Sequence, residues 1–107
     1  MKKYTLFDSS EIFDEKFPVG SRKLIKAGDK VVLLIRHIET DLLATEPNCP
    51  HNNKNLIEAP IINNEYLVCL MHGYRFKMFS GEEEKRRCRN LKIYETQITD
   101  NGIFLYC

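Results

Sequence analysis

Apolar residues in this chain come in short runs, many of them separated by glycine, asparagine, aspartate or proline. Tyr4-Thr5-Leu6-Phe7 reads as a first strand. Ser9-Ser10-Glu11, followed by Ile12 and Phe13, predicts a short helical turn, because a serine side chain can accept from the free N–H groups of a helix start. Pro18 and Gly20 then break the chain. Ser21 to Lys26 forms a short strand, Ala27-Gly28-Asp29 a turn, and Val31 to Ile35 an unbroken aliphatic run that suits a strand buried on both faces. The two strands together read as a hairpin. His37 to Asp41 makes the next reversal. His37 is read there as a solvated turn residue, since a wet turn satisfies an imidazole. Leu42-Leu43-Ala44-Thr45 is a further strand.

The second half follows the same rhythm. Leu56-Ile57 and Ile61-Ile62 precede Asn63-Asn64-Glu65, and Tyr66-Leu67-Val68 comes after. Asparagine tolerates positive φ, so a tight turn there folds the segment back on itself. Arg75-Phe76-Lys77-Met78-Phe79 alternates polar and apolar, the period of a half-buried strand, and Ser80-Gly81 ends it. Glu82 to Arg87 is a charge run, read as a solvated loop. Leu91 to Thr99 and Ile103 to Tyr106 are the last strands. Thr99-Asp100-Asn101-Gly102 joins them, and Asn-Gly suits the twist of a two-residue hairpin. Short strands joined by turn residues predict an all-β fold, an antiparallel sandwich or barrel. No repeat, linker or low-complexity stretch interrupts the pattern.

Length and composition narrow the class. The 107 residues suit one domain, 1–107. Hydrophobic residues make up 43%, enough for a packed core. The formal net charge of +1 argues against nucleic acid as a partner. No apolar run approaches the roughly 20 residues that span a bilayer. Met1-Lys2-Lys3-Tyr4 leads straight into a strand, unlike a signal peptide. The expectation is a cytoplasmic protein with no membrane partner. Of the four cysteines, Cys88 and Cys107 are read as free thiols, the usual state in a reducing compartment.

The other two cysteines carry the chemistry. Cys49-Pro50-His51 and Cys69-Leu70-Met71-His72 each offer one thiol and one imidazole. Such donors suit zinc, Cu(I) or iron–sulfur iron. Paired zinc ligands usually stand two to four residues apart. Here a single residue separates Cys49 from His51, and each loop mixes the two donor types. A mixed pair fits a two-iron cluster in which one iron takes two thiolates and the other two imidazoles. A structural Cys2His2 zinc module without a redox role is the alternative.

The segments CPHNNKNL and CLMHGYRF resemble the two cluster-binding loops of Rieske proteins, C-x-H and C-x-x-H. Gly73, Phe76 and Ser80-Gly81 match the family's HG-x-x-F…TG run. The resemblance implies a β base carrying a cluster-binding subdomain at about 46–81. It implies one [2Fe–2S] cluster per chain, with Cys49 and Cys69 on the inner iron and His51 and His72 on the outer. Lys54 and Met71 stand where high-potential members carry two disulfide cysteines. Tyr74 and Phe76 stand where those members place Ser and Tyr hydroxyls near the cluster. The family often shields its cluster with a Pro-containing loop, and Glu82 to Asn90 has no proline. The chain thus resembles a soluble, low-potential Rieske ferredoxin: a monomeric one-electron carrier between a reductase and an oxygenase or other redox enzyme. It would not be an enzyme itself, since 107 residues leave no room for a mononuclear-iron domain. A small Rieske subunit of a reductase complex, of the nitrite type, is the alternative within the family.

Overall fold

A computed structural model describes all 107 residues. The elements are β1 (Lys3–Phe7), α1 (Ser10–Lys16), β2 (Arg22–Ala27), β3 (Lys30–Ile38), β4 (Asp41–Thr45), β5 (Ile61–Ile62), β6 (Tyr66–Val68), β7 (Arg75–Lys77), β8 (Ile93–Thr99) and β9 (Gly102–Tyr106). Six strands form one antiparallel sheet in the order β1-β9-β8-β4-β3-β2, and β5-β6-β7 form a second. The all-β antiparallel architecture expected from the turn spacing is the one observed, a curled half-barrel.

The aliphatic run in β3 explains why the base has two cores. Side chains alternate across a strand, so Val32 and Leu34 face one way while Leu33 and Ile35 face the other. Val32 and Leu34 join Phe13, Phe17, Ile103 and Leu105 in one buried cluster. Leu33 and Ile35 join Cys49, Leu56, Leu67, Cys69, Phe76 and Leu91 in the other. β4 divides its residues the same way, Leu42 and Ala44 to the first cluster and Leu43 to the second. The second cluster is where the β base meets the segment bearing the two Cys/His loops.

That segment is an insertion in the large sheet. The chain leaves it at Thr45 and rejoins at Ile93, and these two residues pair directly. Glu46 and Arg89 close the neck with two hydrogen bonds of 2.7 and 2.8 Å, and Glu46 also accepts from the Lys92 N–H at 2.7 Å. From the edge strand β2, Arg22 donates to the carbonyls of Ile57 and Ala59 at 3.0 and 2.6 Å. The middle of the insert is thereby tied to the base.

Three local expectations are corrected. β3 runs on to Ile38, with a register shift against β4 between Ile35 and Ile38. His37 is therefore no solvated turn residue. Its side chain is 6% exposed, and Nε2 lies 3.1 Å from Asp41 Oδ2. The strand expected over 75–79 ends at Lys77. Phe76 and Met78 are buried as the alternation requires, but Phe79 is fully exposed in the turn that follows. The last hairpin closes with Thr99 opposite Gly102, so Asp100 and Asn101 occupy its corners. Neither they nor Gly102 adopt positive φ, so the turn is not the Asn-Gly type expected.

Candidate metal centre

The first Cys/His loop is wound by its own backbone and by asparagines. The Cys49 N–H donates to the Lys54 carbonyl at 2.8 Å, and the Asn53 N–H to the Cys49 carbonyl at 2.8 Å. Asn52 Oδ1 accepts from the Lys54 N–H at 3.0 Å, and Asn55 Oδ1 from the Ile57 N–H at 2.8 Å. Asn53 takes φ 62°, the left-handed region that asparagine tolerates better than most residues. Three asparagines in this stretch thus supply the turn chemistry that Cys49-Pro50-His51 needs.

The second loop caps the hairpin of β6 and β7. Val68 pairs with Arg75, and inside that pair the Cys69 N–H donates to the Tyr74 carbonyl at 2.9 Å. His72 and Gly73 both adopt left-handed φ, 70° and 67°. For histidine this conformation is strained, and strain of this kind gathers at functional sites. The Asn63-Asn64 turn, with φ of 55° and 52°, forms as the sequence predicts and folds β6 back along β5. The spacer therefore brings the second loop beside the first.

The predicted donors come together in pairs, thiol beside thiol and imidazole beside imidazole. Cys49 and Cys69 are buried at 2% and 0% exposure, while His51 is half-buried and His72 exposed. The two imidazole rings lie 5.4 Å apart, edge to face. Burial pushes the Cys49 thiol above its usual pKa. The backbone N–H groups of His51 and Asn52 pull it back toward the thiolate, and the adjacent Cys69 opposes them. Thiols lie inside and imidazoles outside.

One observation tests whether these residues fit a metal cluster. His51 Nδ1 and Asn52 Nδ2 are buried without any hydrogen-bond partner. A buried unpaired polar atom costs free energy, so each is suited to a partner other than protein. An unpartnered imidazole nitrogen suits a metal. Asn52 Oδ1 accepts from the Lys54 N–H at 3.0 Å and from the Cys69 thiol at 3.7 Å. The donor set fits a two-iron cluster.

Sequence reasoning missed one group beside the donors. The Tyr74 ring lies on the His51 ring at 3.7 Å and 12°. The Arg87 guanidinium lies 3.7 Å over the other partner, the Tyr74 ring. Glu83, expected in a solvated loop, is fully buried. It takes two hydrogen bonds from the Arg87 side chain, 2.8 and 2.9 Å, and two more from the backbone N–H groups of Lys85 and Arg87. These hold its carboxyl down at about 2. The spacing of Glu83 and Arg87, i and i+4, was the available signal. Cys88 packs on the edge of the same core, whereas Cys107 belongs to the other.

Comparison with known proteins agrees with this geometry. The profile of the Rieske [2Fe-2S] domain matches residues 4–95. A methanesulfonate monooxygenase ferredoxin subunit of Methylosulfonomonas methylovora is 30% identical over 91 residues, 81% of this chain and 70% of that protein. The ferredoxin component of an alkene monooxygenase system from Xanthobacter autotrophicus is 29% identical over 63 residues, 59% of this chain. The match spans about half of that relative, 51%. Among solved structures, the complex of reduced oxygenase and oxidized ferredoxin in carbazole 1,9a-dioxygenase contains a similar chain. It superposes with TM-score 0.71 at 18% identity, covering 96% of this chain and 91% of that one. A protein described as the small subunit of a nitrite reductase (NADPH) superposes with TM-score 0.74 at 14% identity over the full length of both chains.

Proposed function

The chain belongs to the Rieske [2Fe–2S] domain family, and from that premise we propose that it is a one-electron carrier delivering electrons to an oxygenase. The family's cofactor is a Rieske-type [2Fe–2S] cluster. Cys49 and Cys69 would hold the inner iron as thiolates, and His51 and His72 the outer iron through one ring nitrogen each. The unit 1–107 would act as one domain, with the donors carried by a subdomain at about 46–81. When bound, the cluster accepts and releases one electron. The chain's own part is to hold it and to govern access. Phe76, Leu56 and Leu91 wall the thiols from water. His72, Leu70 and Met71 lie exposed at the loop tip, where a partner can approach.

The observation that carries this reading is the arrangement of donors in two mixed pairs, thiols buried and imidazoles outward. Both named relatives are ferredoxin components of monooxygenase systems, which favours a carrier over a fixed subunit of a reductase complex. A reductase as electron donor, a monomeric state and a cytoplasmic setting belong to the same proposal. No helix is long and apolar enough to cross a membrane.

Protein purified without air tests the reading through its visible and EPR spectra and its iron and acid-labile sulfide content. Two iron and two sulfide per chain are expected, with absorbance and an EPR signal on reduction. Stoichiometric zinc and no sulfide, in protein from iron-replete anaerobic expression, overturns it, since zinc is colourless.

A further inference from the structure

We propose that Glu83, Arg87 and Tyr74 form a stacked clamp that positions the outer ligand ring, His51, and covers its face. The inference rests on the cluster-binding reading above and goes beyond it, to residues that are not ligands. Its geometry is continuous. Buried Glu83 grips the Arg87 guanidinium through both carboxylate oxygens. That guanidinium lies over the Tyr74 ring, 3.7 Å from its centre, and Tyr74 lies on His51 at 3.7 Å and 12°. Guanidinium on ring and ring on ring are favourable face contacts, and each fixes the plane of the next.

The backbone is shaped to make this stack. Glu83 bridges to Phe76 of β7, and the Glu84 N–H donates to the Arg75 carbonyl at 2.8 Å. Arg86 then takes φ 55°, an uncommon conformation for a residue with a side chain. This turns the chain so that the Glu83 carboxylate meets the Arg87 N–H at 3.0 Å and its side chain together. A buried carboxylate with no other charged partner has no role in a solvated loop. Here it anchors Arg87 at the site.

The consequence concerns the freedom of one ring. The His51 ring Nδ1 is buried and unpartnered. Groups outside the ligands that orient a metal-binding imidazole commonly do so by hydrogen bonding. Here stacking does it. The segment 82–90 has no proline, and the clamp supplies the cover over this side of the site. Tyr74, Arg87 and Glu83 are positioning residues, acting on the cluster through His51.

Three variants of the cluster-loaded protein separate this role from simple folding. Tyr74→Phe keeps the ring and is expected to match the wild type. Tyr74→Leu removes the stack but leaves the Glu83–Arg87 pair intact. Glu83→Gln/Arg87→Met removes both charges together, so no buried charge is left unpaired. The readouts are the EPR g-values and ¹⁵N couplings of protein labelled at histidine, with the rate at which visible absorbance bleaches under a chelator. In Tyr74→Leu and in the double variant, the coupling from one histidine is expected to shift and broaden. Bleaching is expected to quicken about tenfold, the lower end of what loss of a ligand's support usually does. Unchanged couplings and bleaching in folded Tyr74→Leu overturn the clamp, as does a Tyr74→Phe protein that behaves like Tyr74→Leu. A wild type with no iron and no sulfide overturns the underlying cluster reading instead.

Discussion

Gly81 and Leu91 touch through their backbones. The Gly81 N–H donates to the Lys77 carbonyl at 2.7 Å and the Leu91 N–H to the Gly81 carbonyl at 2.8 Å. A Cβ on Gly81 would overlap the Leu91 carbonyl oxygen, and Gly81 has φ +79°. This contact starts and ends the loop 82–90, so it decides where Glu83 and Arg87 lie. Alanine here meets a clash with backbone, which cannot swing aside, and a left-handed conformation that costs about 1–2 kcal/mol by itself. Overpacking adds about 1–3 kcal/mol. Gly81→Ala is expected to lower the denaturant midpoint clearly and to speed cluster loss. A variant as stable as wild type, with unchanged bleaching, contradicts the contact.

The midpoint potential should lie toward the low end of the range of about −150 to +300 mV for Rieske centres. A hydroxyl donor to a ligand sulfur stabilises the reduced, more negative state. Phe76 has none to give, although it packs with Cys49 and Cys69 in one buried cluster. Tyr74 has one, but its ring lies against His51. Phe76→Tyr is expected to raise the midpoint where its new hydroxyl reaches the Cys49 sulfur. Protein-film voltammetry at neutral pH measures both proteins. A wild-type value near the top of the range shows the surroundings of the sulfurs to be misread.

Legibility in the sequence followed the range of the interactions concerned. Asn63-Asn64 announced its turn because asparagine's tolerance of positive φ is a property of the residue itself. Val31 to Ile35 announced a strand buried on both faces because branched aliphatic runs fit nowhere else so well, and Leu33 and Leu34 do enter opposite cores. The four candidate donors stood out because spacing within each loop is local. Glu83, His37 and Phe79 were not. Glu83 is buried by the route of a loop that Gly81 and Leu91 set, and His37 by a strand lengthened through a register shift. Phe79 is exposed because β7 stops at Lys77 and the chain turns outward. Each depends on tertiary placement that neighbouring residues do not encode. The stack on His51 belongs to this class too, since it joins residues 51, 74 and 87.

Acid should find Glu83. Its pKa falls from 4.5 unfolded to about 2 folded, chiefly through the Arg87 hydrogen bonds. A depressed carboxyl pKa gives stability that is whole above the unfolded value and is lost as pH falls toward the folded one. The loss therefore lies between pH 4.5 and about 2. Urea midpoints followed by far-ultraviolet circular dichroism should fall across that window in wild type. Glu83→Gln, which cannot titrate, should start less stable and decline less. Parallel declines in the two proteins would mean that Glu83 does not carry the step.

Electron exit should run through the loop tips rather than the charged run. Leu70 and Met71 are 59% and 46% exposed beside the exposed His72. Apolar tips of this size suit the small, quickly released contacts of redox partners. The charged run 82–87 makes the rival surface, but its acids are already engaged. Glu82 lies 3.6 Å from both Lys77 and Arg86, and Glu84 lies 3.9 Å from Arg75. Glu83 is buried against Arg87. Paired charges project little field toward a partner. The two surfaces make opposite forecasts about salt, because exposed charges are screened within about 8 Å at physiological ionic strength. If the tips dominate, Met71→Glu should slow transfer to the partner about tenfold or more, since it puts a charge into an apolar contact that must be desolvated. Raising ionic strength should then change the wild-type rate little. Stopped-flow oxidation of the reduced protein by its partner, across a salt series and with midpoints checked so that driving force is held constant, decides between them. Strong slowing by salt together with an unaffected Met71→Glu protein would assign docking to the charged run.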